Sequence, residues 1–176
     1  MDEVKDTIFG TVKGDMDLFK KIMSKIPGFS GYMERQNRRD SDKLIRDRIF
    51  SRFRELESRL SGVQRDFIAR GELDYVDDLE ASAIKMRTFA DRVRTATRGY
   101  SSLFEAVKIN EEELKKLYEY DASMLDLVDE VSRAIDHIEA SLGTDGLPAA
   151  IRNLEAVTQQ CIETFDRREE IILAPQ

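Results

Sequence analysis

One cysteine, one histidine, three prolines, nine glycines and no tryptophan occur in 176 residues. Each scarcity excludes something. Cys161 alone allows no internal disulfide and no cysteine cluster for zinc. No apolar run approaches the ~20 residues that a membrane span requires. The opening Met1-Asp2-Glu3-Val4-Lys5-Asp6 lacks the basic start and apolar stretch of a signal peptide, so a reducing cytoplasm is the expected setting. Gly-x-Ser-x-Gly, the Walker loop and the dinucleotide fingerprint are all missing. With that inventory the chain is expected not to be an enzyme, and no cofactor is inferred.

What is present points to long helices. Charged residues reach 36% and apolar residues 41%, the composition of a helical domain with solvated outer faces and a sizeable core. The net charge of −7 hides a gradient. Residues 32–70 carry eleven Lys/Arg against seven Asp/Glu, or +4, whereas residues 108–147 carry four against eleven, or −7.

Residues 2–25 place Val4, Ile8, Val12, Phe19, Ile22 and Ile26 at about one per turn, with Phe9, Met16 and Met23 beside them. That spacing predicts an amphipathic N-terminal helix over 1–26, weakened by Gly10 and Gly14 at about 1 kcal/mol each. It is expected to pack outside the main domain or to stay mobile. Pro27 and Gly28 end it and open an elbow over 27–31.

From residue 32 the apolar positions step by threes and fours. Ile49, Phe53, Leu56, Leu60, Val63 and Phe67 form one seam, closed by Gly71 as a C′ glycine. A second runs Val76, Leu79, Ala83, Met86, Ala90, Val93, Thr97, Tyr100, Phe104 and Val107, with Asp74 as its expected N-cap. A third follows the capping-box sequence Asn110-Glu111-Glu112-Glu113 and runs Leu114, Leu117, Asp121, Met124, Val128, Val131, Ile135, Ile138 and Leu142. The turn Gly143-Thr144-Asp145-Gly146 leads to the last seam: Ile151, Leu154, Thr158, Cys161, Phe165 and Ile172. The predicted fold is all-α: an up-down-up-down antiparallel four-helix bundle over 32–176, each helix running against its neighbour in the chain, with the N-terminal helix added.

Asp121 is the charged member of an apolar seam, and a buried carboxylate demands a partner. Reflecting positions through turns near Glu72, Ile109 and Asp145 puts Arg46, Arg98, Asp121 and Glu169 at one level. They form the candidate polar core layer, read first as a network that fixes register and second as a pocket for an ion. In this register the charged turn from Asp166 to Glu170 lies toward the bundle end.

The architecture is similar to that of the carboxylate di-iron bundles, but those require Glu-x-x-His on two helices, and His137 follows no such motif. His137 is read as a surface residue and no metal site is expected. Arg35, Arg38, Arg39, Lys43 and Arg46 are spaced to track phosphates, yet Asp40, Asp42 and Asp47 interleave, which disfavours nucleic acid. Gly28-Phe29-Ser30-Gly31 follows a helix and is not read as a phosphate cradle.

The reading that results is a helical coiled-coil-type interaction or scaffold protein. It docks a protein partner, or self-associates into an oligomer, through the N-terminal helix and elbow. Phe9, Phe19, Phe29, Tyr32, Arg35, Arg38 and Arg39 are the candidate contact residues. The alternative is a protein at the membrane periphery with residues 2–25 as an interfacial helix. Long charged helices behind such a segment resemble phage-shock-type membrane proteins. Five acids against five lysines leave residues 2–25 without net charge, which weakens attraction to anionic lipid.

Overall fold

The computed structural model describes residues 17, 20–22, 24–26, 38–96 and 111–173, and these are helical apart from short turns, with no strand among them. Four long helices carry the fold: α1 (Arg38–Arg70), α2 (Val76–Thr95), α3 (Glu111–Ser141) and α4 (Leu147–Leu173). At ~1.5 Å per residue the longest, α1, extends for about 50 Å.

The ends of the helices follow from local chemistry. Gly71 takes φ +77° after Arg70. Its N–H bonds the Ile68 carbonyl at 3.1 Å and the Glu72 N–H bonds the Phe67 carbonyl at 3.0 Å. This is the paired-bond glycine stop that satisfies orphan carbonyls. The other helical hairpin turns at Gly143, with φ +74°. There Thr144 caps the end of α3, its hydroxyl donating to the Ser141 carbonyl at 2.9 Å. Pro148 sits in the first turn of α4, where a missing N–H costs nothing.

Asp74 is not the N-cap of α2. A 3-10 turn over Leu73–Tyr75 absorbs it, and Tyr75 occupies the cap without a side-chain bond. The tight turn supplies the first carbonyls, so the sequence signal for an acidic cap went unused. The described part of α2 closes at Thr95, where the Ala96 N–H bonds the Arg92 carbonyl. Thr97, Tyr100, Phe104 and Val107, the rest of the expected seam, lie outside the described residues, as does the break at Lys108-Ile109.

Each described seam is buried. Ile49, Phe53, Leu56, Leu60, Val63 and Phe67 of α1 meet Leu79, Ala83, Met86, Ala90 and Val93 of α2 in one core with Met124, Val128, Val131, Ile135 and Ile138 of α3. Ile151, Leu154, Cys161 and Phe165 of α4 complete it. Phe89 stands between helices, 4.6 Å from the Phe53 ring and 6.2 Å, edge-on, from the Phe165 ring. Ser82 is fully buried in α2, and its hydroxyl has no hydrogen-bond partner among the described residues.

The spatial order departs from the chain order. The main interfaces among the described residues are α1–α2, α2–α4, α4–α3 and α3–α1. Helices α2 and α3 follow one another in sequence but do not share a main interface. All-α packing of long helices is met among the described residues.

The N-terminal segment is part of the packed structure. Residues 20–22, 24 and 25 are helical, the Ile26 N–H bonds the Ile22 carbonyl at 3.1 Å, and Ile22 and Ile26 belong to the buried core. Where it is described, the segment packs against α3.

Candidate functional site

The contact between residues 20–26 and α3 is built from two short-range spacings. Lys21 and Lys25 lie four residues apart, as do Ile22 and Ile26, so one helical face carries an apolar pair flanked by ammonium groups. On α3, Asp126 and Asp129 lie three apart and share a face. Lys21 donates to Asp126. Lys25 Nζ stands 2.9 Å from Asp126 Oδ1, 2.5 Å from Asp129 Oδ2 and 3.4 Å from the Leu125 carbonyl oxygen. Full burial of an isoleucine is worth roughly 1.5–3 kcal/mol. A half-exposed ion pair is worth roughly 0–1 kcal/mol. Ile22 and Ile26, 1% and 2% exposed, therefore supply the affinity, and the lysines set the register.

The charges answer to that geometry. Desolvation pulls the Lys25 ammonium down, but its bonds to Asp129 and Asp126 outweigh this and leave its pKa raised. Desolvation pushes the Asp126 carboxyl up, and the bonds from Lys21 and Lys25 more than reverse it, leaving its pKa lowered. Both groups are thus held more firmly in their charged forms.

The second cluster is the buried polar layer. Asp121 is 1% exposed and accepts a bond from Arg168 Nε at 2.7 Å, with Arg168 itself 1% exposed. Arg46, 3% exposed, is also buried. Sequence reasoning missed Arg168 and set its turn toward the bundle end, although the signal was present. Residue 168 fills the seam position between Phe165 and Ile172, just as Arg46 fills the one before Ile49. A charged residue at an apolar seam position is the mark of an internal pair. Glu169, by contrast, is half-exposed and pairs at 2.8 Å with Arg92, which also binds Asp166 at 2.6 Å. The Arg92 guanidinium lies 4.8 Å from the centre of the Phe165 ring. Arg98 lies outside the described residues.

Of the candidate contact residues, Arg38 and Arg39 form the start of α1. Phe9, Phe19, Phe29, Tyr32 and Arg35 lie outside the described residues, as does the 27–31 elbow. From the sequence, Lys21 and Lys25 counted only among the lysines of the interfacial-helix alternative, and Asp126 and Asp129 were not singled out, because charges on helix faces are ordinary until a partner is known.

The remaining groups are structural. His137 is exposed, and its neighbours Asp136 and Glu139 both bind the Arg59 guanidinium of α1. The bond to Glu139 chiefly raises the Arg59 pKa. Glu57 takes Arg54 on its own helix and Arg87 of α2, the latter at 2.8 Å. Burial pushes the Cys161 thiol far up, and the Glu130 carboxylate adds to this, which disfavours a thiolate nucleophile. Among the described residues no group of three or more His, Cys, Asp or Glu is placed to hold a metal ion, and no helix is long and apolar enough to cross a membrane.

Comparison with protein-family models, with curated proteins and with solved structures finds no match to this chain.

Proposed function

We propose that this chain is a non-enzymatic interaction or scaffold protein of the cytoplasm, which docks a protein partner or associates with itself through its N-terminal segment and elbow. One observation carries the reading. The face of the segment with Ile22 and Ile26 recognises a protein surface, the acidic side of α3, through matched charges. An interfacial membrane helix would need that face for lipid.

The frame behind the contact is read as an up-down-up-down bundle. Phe53, Phe89 and Phe165 share a level, while Arg59 meets Asp136 and Glu139 toward the far end of α3. Helix directions that alternate along the chain satisfy both relations. The buried charges Arg46, Asp121 and Arg168 are read as the device that fixes register, not as a ligand pocket. Buried ionic groups serve this purpose best where apolar seams would otherwise slide.

Removal of residues 1–31 tests the reading. The expected outcome is a folded bundle with altered self-association by light scattering across protein concentration, or with lost capture of a partner. Co-sedimentation of the full chain with anionic liposomes that disappears on truncation, with association unchanged, would instead establish the membrane-periphery reading.

A further inference from the structure

We propose that the partner of the N-terminal segment is a second copy of this chain: residues 20–26 of one copy dock on the Asp126–Asp129 face of α3 in the other, reciprocally. The inference rests on the docking reading above and names its partner. The receiving surface is made by α3, and nothing in its chemistry depends on which copy supplies Lys21, Ile22, Lys25 and Ile26. The charge match is specific, with two ammonium groups four residues apart opposite two carboxylates three apart.

The connection permits the exchange. Eleven residues, 27–37, join Ile26 to the start of α1, and at ~3.3–3.6 Å per residue they reach at most about 40 Å. That reach serves a neighbouring bundle as well as its own. Exchange between two copies closes a two-fold symmetric dimer in which the same contact forms twice. It adds no new surface, so intramolecular docking prevails when dilute and exchange rises with concentration.

Charge reversal separates the two arrangements. Chain one carries K21D/K25D and chain two carries D126K/D129K, so each alone loses its contact, within or between copies. Mixed, each segment matches the α3 face of the other chain and neither matches its own. The expected result is a complex of twice the chain mass in the mixture, with monomers in either solution alone, by light scattering at ~100 µM. In wild-type backgrounds, K25C on one chain and D129C on another, treated with a short bismaleimide, are expected to give a covalent dimer. Cys161 is buried and leaves the introduced thiols as the reactive ones. This second measurement decides the matter if a reversed variant fails to fold.

Wild-type self-association without rescue or cross-linking would overturn exchange while leaving docking through another surface intact. A wild-type monomer at every concentration, with neither rescue nor cross-linking, would also overturn it. Docking would then require a foreign partner, which the truncation experiment reads separately.

Discussion

Asp121 and Arg168 are each at least 98% buried, so their bond at 2.7 Å works where water cannot screen it. Removing one partner takes this bond away from a charge held in the core, and such losses run to about 3–5 kcal/mol. Arg168→Leu is expected to cost that much in urea unfolding. Asp121→Leu/Arg168→Leu should cost clearly less than the sum of the two single variants, because the shared bond is then counted once. Simple additivity in this cycle would show that the two residues act independently. Asp121 was legible in the sequence as a seam residue in need of a cation. Arg168 was equally legible once its position between Phe165 and Ile172 is taken as part of the seam. Which arginine reaches which carboxylate was not legible, because register to within one turn leaves several guanidinium groups in range.

At the scale of elements, the glycine stops are local and read directly from sequence. Gly71 has open space where a Cβ would stand, so only its φ of +77° resists substitution. Gly71→Ala is expected to cost about 1–2 kcal/mol in thermal or urea unfolding, the penalty of the left-handed region. The Asp74 cap was misread for a non-local reason: the chain enters α2 through a 3-10 turn that brings Tyr75 into contact with Phe67, ring centres 6.4 Å apart.

The docking of residues 20–26 depends on pH with a definite sign. The Asp126 pKa lies below its ordinary 3.8, so its contribution is present above that value and is lost as pH falls through the lowered one. The Lys25 pKa lies above its ordinary 10.5, so its contribution is complete below that value and is lost as pH rises through the raised one. Amide exchange of residues 20–26 should therefore be slowest across the neutral range relative to the intrinsic rate, with protection lost first at the acid and alkaline extremes. Added salt should weaken it at neutral pH, since the pairs are partly exposed. Protection unchanged by either would mean that the two isoleucines hold the segment alone.

At the scale of the whole molecule, burial outweighs surface pairing. Phe89 touches the rings of Phe53 and Phe165 and so joins α2 to both α1 and α4. Phe89→Ala is expected to cost about 3–5 kcal/mol by urea unfolding. Arg59→Gln, which breaks an α1–α3 pair whose arginine side chain is a third exposed, should cost no more than about 1 kcal/mol. A larger loss for Arg59 than for Phe89 would mean that the ion pairs, not the seams, hold the helices together.

Four arginines of the basic stretch 32–70 are accounted for within the fold. Arg46 is buried, Arg52 pairs with Glu55, Arg54 with Glu57, and Arg59 with Asp136 and Glu139. Helix type, the membership of the apolar seams and the glycine stops were determined by the sequence itself, since each depends on residues within a few turns. Tertiary structure alone decided that the described parts of α2 and α3 share no main interface, that Arg168 meets Asp121, and that Lys21 and Lys25 find Asp126 and Asp129. Those choices turn on how four near-equivalent apolar stripes share one core. That energy is nearly the same for several arrangements until charges far apart in the chain are brought face to face.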